Sequence, residues 1–273
     1  MAIEQDLFWY TDKISGKSRS IVSHGKPIDG TEPLMRDYFF ERIRPIMEQA
    51  LREGNKGDWP LITLNLDFKT DEAAHHRAVW ESLGEYESWL CTAERGADPS
   101  VVMPMKAGPL LVLTGEADTQ ERDFYQILPA GGRLRVFGAV HELGADPSVP
   151  PEHMISGPAT NYRRWWNNPW RVVENGGQPK AGLWTAIGAQ RLTSLVQYAH
   201  AQNLWIRFYT LNGHPSELLA VNGWDRGYNF GSREAVEERW RAAIVAHVDY
   251  IATDEYDALA ALKREMASQA PAQ

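Results

Sequence analysis

The stretch that most constrains this chain is Leu61–Lys69, LITLNLDFK. Ile62, Leu64, Leu66 and Phe68 alternate with Thr63, Asn65, Asp67 and Lys69. A period of two sends the two sets to opposite faces of a strand. One face is apolar; the other ends in Asn65, Asp67 and Lys69. A carboxylate and an ammonium at the end of an otherwise apolar strand are costly to bury unless paired. Two readings stand open: a structural Asp67–Lys69 ion pair, or part of a cation or phosphate site.

Similar punctuation recurs along the chain. Ile3–Tyr10 is extended, with Glu4, Asp6 and Phe8 on one face, and Ser20–Ser23 returns as a hairpin ending in His24-Gly25. Leu34–Glu53 is helical, with Pro45 expected to kink or divide it and Gly54 and Gly57 ending it. Thr70 or Asp71 is placed to cap a helix carrying Val79, Leu83, Tyr86 and Leu90 at helical spacing. His75 and His76, adjacent on that helix, cannot face one ligand together and read as surface residues.

Leu110–Thr114 is continuously apolar, the mark of a strand buried on both faces. A short helix follows around Thr119–Ile127. Further strands are expected at Leu134–Val140, ending near His141, and weakly at Met154–Ser156. Residues 157–177 read as an irregular aromatic segment in which Trp165, Trp166 and Trp170 form either a lid or a packed loop. Then come a helix over Thr185–Gln202, a strand over Leu204–Thr210 with Trp205, Arg207 and Tyr209 on one face, a Gly-rich loop, and a helix capped by Ser232. The strand Tyr250–Thr253 and a last helix opened by Asp254 lead to an Ala/Gln-rich tail expected to fray.

Apolar strands alternating with amphipathic helices point to a parallel α/β architecture. Seven barrel-type strands are expected, near Ile3, Leu61, Leu110, Leu134, Met154, Leu204 and Tyr250. The class is therefore α/β, a (β/α)8 TIM-barrel-like single domain over residues 1–273, whose site residues belong at the C-terminal strand ends. A doubly wound sheet is the alternative, but no Gly-rich phosphate loop follows the first strand.

Composition narrows the function. A net charge of −8 argues against nucleic acid as partner. No run reaches the ~18–20 apolar residues of a membrane span. The start, MAIEQDLFWY, has no signal-peptide pattern, so the chain as given reads as cytoplasmic unless a longer precursor directs it elsewhere. The single cysteine, Cys91, reads as a packing residue. Many of the eleven tryptophans, Trp59 and Trp224 among them, fall in loops that line clefts or pack onto the body.

Glu4, Asp6 and Asp67 at strand ends suit one hard cation, Mg²⁺ or Ca²⁺, unless they are separate surface carboxylates. Glu4 and Asp6 share a face about 6.6 Å apart along the strand, so bridging one ion is expected if the strand end bends. Lys69 would face the same cavity and neutralise phosphate charge. His24 suits proton transfer, or else is a turn histidine bonded to backbone. Arg207, Tyr209, Trp205 and His141 are candidate substrate contacts.

Ile3-Glu4-Gln5-Asp6, then His24-Gly25, then Leu66-Asp67-Phe68-Lys69, resemble the core of the phospholipase C-like phosphodiesterase superfamily. Glycerophosphodiester phosphodiesterases, phosphatidylinositol-specific phospholipases C and spider-venom-type phospholipases D belong to it. The branch of the fungal altered-inheritance-of-mitochondria protein 6 is the most similar, through Asn203–Tyr209 and Val248–Asp254 as well. The resemblance implies a barrel, a divalent cation, and general acid–base cleavage of a glycerophosphodiester or phospholipid-type substrate, in many members by a substrate hydroxyl through a cyclic phosphate. By position it implies Glu4, Asp6 and Asp67 as metal ligands, Lys69 as phosphate contact and His24 as the second of two catalytic histidines. The family's first histidine ends a strand upstream of the Glu-x-Asp strand; here only Met1 and Ala2 precede Ile3. The expectation is thus a barrel lacking its first strand and helix, with turnover impaired. A metal-independent glycoside hydrolase, or a non-catalytic ligand-binding barrel, are the competing readings.

Overall fold

The computed structural model describes residues 1–54 and 60–269. Gly57, Trp59 and the end of the tail lie outside the described residues. The chain forms two compact units: residues 1–139 with 159–164, and residues 140–158 with 165 onward.

In the first unit, β1 (Ala2–Thr11) turns back into β2 (Ser18–Val22), with Leu7 opposite Val22 and Thr11 opposite Ser18. Asp12 fixes the turn: its Oδ1 accepts from the backbone N–H of Ile14 and Ser15 at 3.0 and 2.6 Å. A π-helical turn, Arg36–Phe40, runs into α1 (Glu41–Glu53). Pro45 sits inside α1, four residues past its start, so the amide that proline removes is one of the first that could bond within the α-turn.

Next come β3 (Ile62–Phe68), α2 (Ala73–Glu85), β4 (Thr92–Glu94), β5 (Met105–Lys106), β6 (Leu110–Thr114), α3 (Asp118–Glu121) with a π-helical turn to Gln126, β7 (Arg133–Leu134) and β8 (Phe137–Ala139). β3 runs parallel to β1 on one side and to β6 on the other; β6 runs parallel to β8. β4, β5 and β7 make a small antiparallel sheet. The expected strand Leu134–Val140 is therefore split, its start serving the small sheet and its middle the parallel one. Every residue of β6 is buried, as its unbroken apolar run requires.

The second unit holds the Trp165–Pro169 part of β9 (Arg163–Pro169), then α4 (Ala186–Ala201), β10 (Trp205–Tyr209), α5 (Ser216–Asn222), α6 (Arg233–Val245), β11 (Tyr250–Ile251) and α7 (Tyr256–Gln269). β10 runs parallel to β9 and to β11. Ser232 caps α6, its hydroxyl accepting from the Ala235 N–H at 3.2 Å, and Thr185 caps α4 in the same way through Gly188. At α7 the side chain that accepts from the backbone is Thr253, from Glu255 N–H; Asp254 instead accepts from the Asn212 amide.

Within each unit every parallel strand pairs with the next in chain order, β1-β3-β6-β8 and β9-β10-β11. The protein is α/β with barrel-type winding; among the described residues, neither unit contains the reversal of strand order that defines a doubly wound sheet.

Three expectations are corrected. Met154–Ser156 is not a strand: Pro151–His153 is a short 3-10 turn, and Ile155 makes one isolated bridge to Glu142. The missing strand is β9, inside the segment read as irregular. Its sequence, RRWWNNP, has no period of two because it is buried on both faces, and Trp165, Trp166 and Trp170 are interior residues, not a lid. His75 and His76 are fully buried. The helix start is wedged against β2 and β3, so adjacent positions are covered from two sides: His75 reaches Ser20 and Thr70, and His76 reaches Asp123.

Candidate functional site

The parallel register of β1 and β3 sets Glu4 beside Asn65 and Asp6 beside Asp67. All four point to the same face, since positions two apart on a strand do. Carboxylate oxygens of Glu4, Asp6 and Asp67 come within 4.8 Å of one another, so the side chains converge despite their spacing along the backbone. Lys69 extends the row: its N–H donates to Leu7 O at 2.8 Å, continuing the β1–β3 pairing one step further. Its ammonium sits 2.7 Å from Asp67 Oδ2 and 3.1 Å from Asp6 Oδ1.

Two full charges 4.8 Å apart repel by about 3 kcal/mol at an effective dielectric of ~20. The Lys69 ammonium offsets this between Asp6 and Asp67. Burial alone would pull the Lys69 ammonium's pKa down; the hydrogen bonds to Asp67 and Asp6 outweigh it and hold the value above the ordinary one. Lys69 is thus held in its charged form between the two carboxylates.

Asn65 is the member that sequence reasoning left without a role, although it stands in the same polar row. Its Nδ2 donates to Glu4 Oε2 at 2.9 Å, which orients that carboxylate. Its Oδ1 is buried and unpartnered in the structure. An orphaned oxygen beside three carboxylates makes an all-oxygen donor set, the chemistry of a hard cation such as Mg²⁺ or Ca²⁺. The residues present therefore fit such an ion.

His24 lies two residues past the end of β2. The Ser23 N–H donates to Asp6 O at 3.2 Å, so the hairpin carries His24 to the stretch of β1 that holds Asp6. The His24 side chain is exposed, free of the burial that would tie up its ring.

The remaining candidates lie in the second unit. Trp205, Arg207 and Tyr209 share one face of β10, as expected, and all three are half-buried. Arg207 Nη1 donates to Asn167 Oδ1 at 3.0 Å, and its guanidinium lies 5.5 Å from the Tyr209 ring centre. Burial, and next the Glu142 charge, raise the Tyr209 phenol's pKa, so it stays a hydrogen-bond donor. His141 is half-buried just after β8, its carbonyl accepting from Ser156 N–H at 3.1 Å.

No family model matches this chain, and no curated protein does. Among solved structures, the chain is similar to one titled "Putative glycerophosphoryl diester phosphodiesterase" from Silicibacter pomeroyi DSS-3. The two share 13% identity with a TM-score of 0.42, over 97% of this chain and 84% of that one. Among the described residues, no helix is long and apolar enough to cross a membrane.

Proposed function

We propose that this protein is a metal-dependent phosphoric diester hydrolase acting on a glycerophosphodiester or phospholipid-type substrate. The observation that carries the reading is the convergence of Glu4, Asp6 and Asp67 around an ion-paired Lys69. A divalent cation held by the three carboxylates would supply Lewis-acid polarisation of a phosphoryl oxygen.

The chain's own residues do the rest. Lys69, already charged and held between Asp6 and Asp67, binds a non-bridging phosphate oxygen and offsets charge that builds on it in the transition state. Asn65 fixes the Glu4 carboxylate through its amide, so that the ligand set does not have to be ordered when substrate arrives. His24, exposed at the end of the hairpin, exchanges a proton with the attacking hydroxyl or the leaving alcohol; such a group contributes roughly 10²–10⁴-fold in rate.

The test is hydrolysis of bis(p-nitrophenyl) phosphate with Mg²⁺ or Ca²⁺ and with excess chelator, in this chain and in Asp67→Ala. Hydrolysis that needs the cation and collapses in the variant is expected. Chelator-insensitive hydrolysis that survives Asp67→Ala would overturn the reading. Cation binding without turnover at any pH would favour a non-catalytic binding protein.

A further inference from the structure

Within the first unit, Arg44, Arg135 and Arg163 are at least partly buried and each pairs with an acidic side chain. Arg95 and Arg164 are also withdrawn from solvent, yet neither makes an ion pair among the described residues. Arg164 is only 7% exposed. Its Nε donates to Asn161 O at 3.0 Å, and its Nη2 to Met103 O at 2.9 Å and Asn161 Oδ1 at 3.1 Å. All three acceptors are neutral, and the guanidinium otherwise lies 5.2 Å from the Phe137 ring centre. A charge taken out of water without a counter-charge is costly. Burial lowers the Arg164 pKa to about 10, and the one charge set against that belongs to the Tyr125 phenol, not to a carboxylate.

The backbone gathers Arg95, Tyr125 and Arg164. Arg95 follows β4 and is pinned at both backbone groups: its N–H donates to Gly132 O at 2.7 Å, and its carbonyl accepts from Gly131 N–H at 2.9 Å. Asn161, fully buried, brings Arg164 to the same strand end. Its Nδ2 donates to Glu94 O at 2.9 Å, next to Arg95, while its two oxygens hold Arg164. The Arg95 guanidinium lies 5.3 Å from the ring centre of Tyr125, which comes from the π-helical turn after α3.

Each of these three side chains keeps a donor with no acceptor among the described residues: Arg95 Nε and the Tyr125 hydroxyl, both buried, and Arg164 Nη1. A buried donor left in that condition carries its full desolvation penalty. An ordered water answers the hydrogen bonds but leaves the two guanidiniums uncompensated; an anion answers both. The donors are single N–H and O–H groups from three separate stretches of chain, since Arg164 has already committed Nε and Nη2 to carbonyls. They do not form the parallel N–H fork that grips a carboxylate or phosphate. A spherical anion, which accepts from any direction, matches them.

We propose that Arg95, Tyr125 and Arg164 bind one monatomic anion of the halide class, chloride in the first instance, which supplies the charge that no carboxylate of the unit brings to them. The site shares no residue with the carboxylate cluster and does not depend on the phosphodiesterase reading.

The test is thermal unfolding of the full chain, followed by tryptophan fluorescence, as sodium chloride or bromide replaces sodium gluconate at constant ionic strength. The melting temperature should stay level at low halide and climb with its logarithm above the dissociation constant, in the millimolar range. Arg95→Met and Tyr125→Phe each remove one donor, and with the circular dichroism of the parent each should need about 10-fold more halide before the climb begins, the worth of one charge-assisted hydrogen bond. Arg77→Met, at an exposed position of α2, should respond as the parent does. No climb with halide, or the same onset in the parent and both site variants, would overturn the assignment and leave the donors to ordered water. An equally late onset in Arg77→Met would overturn it in favour of general charge screening.

Discussion

The Lys69 ammonium lies 2.7 Å from Asp67 Oδ2 and also 3.1 Å from Asp6 Oδ1, so a single cation joins neighbouring strands across the β1–β3 pairing. This one geometry serves both readings left open by the sequence: the ion pair is real, and it belongs to the carboxylate cluster.

Lys69→Met should therefore expose the cost of the cluster. With the ammonium gone, Asp6 and Asp67 lose the cation they share and repel across the β1–β3 pairing. Stability should fall by about 1 kcal/mol, a few degrees in melting temperature for a chain of this size. Mg²⁺ or Ca²⁺ should then raise the melting temperature of the variant more than that of the parent, since the ion replaces the lost charge. The raised pKa of Lys69 means that this stabilisation is complete below the unfolded value of about 10.4 and is lost as pH rises through the folded one. Equal cation-induced shifts in the two proteins, measured by differential scanning fluorimetry, would argue against a shared site.

Asn65→Leu tests positioning. The substitution removes the 2.9 Å hydrogen bond to Glu4 and leaves every charge in place. Cation affinity, read by terbium luminescence, should drop about 10-fold, the usual effect of losing a group that orients a ligand. An aspartate at the same position adds a carboxylate and should recover affinity; if Asn65 merely filled space, leucine would bind as well as the parent.

The site was legible because β1 and β3 alternate strictly: Glu4 and Asp6, Asn65 and Asp67 had to share faces once the strands paired. What the pattern cannot carry is partnership. β9 went unseen because Arg163 and Arg164 do not look like interior residues; they become so only when Glu121, Asp118 and the carbonyls of Ala139 and Met103 are folded around them. His75 and His76 were misplaced for the same reason. Adjacent helix positions do not share one ligand, but nothing in helix periodicity forbids two different neighbours from burying both.

His75 makes the acid limb of stability testable. Thr70 O, 3.3 Å from Nδ1, can only accept, which puts the proton on Nδ1 and leaves Nε2 to accept from the Ser20 hydroxyl at 2.8 Å. Burial lowers the pKa to about 4. The unfolded chain takes up a proton near 6.5 and the folded one does not, so stability is retained above about 6.5 and falls as pH drops toward 4. Between pH 7 and 5 the loss should be about 2 kcal/mol. Urea titrations at both pH values should show a smaller drop in His75→Gln by about that amount. Parallel behaviour of the two proteins would mean the imidazole is already charged in the fold.

Arg163 offers the sharpest test of how the first unit is held together. Only 5% exposed, it donates to Glu121 at 2.8 Å, Asp118 at 3.0 Å, and the carbonyls of Glu116 and Ala139 at 2.9 and 2.6 Å. These bonds tie the start of β9 to α3 and to the end of β8. Arg163→Met keeps the length and apolar stem but strands Glu121, which is itself largely buried, and two carbonyl oxygens. Breaking a buried pair from one side costs about 3–5 kcal/mol, far more than a surface pair. Arg163→Lys should recover little of it, because one ammonium cannot reach four acceptors set out for a planar fork. Removing the stranded charge as well, in Arg163→Met with Glu121→Gln, should restore part of the loss, and chemical denaturation of the three variants reads this directly. If the double variant is no more stable than the single one, the penalty lies in packing and not in the uncompensated carboxylate.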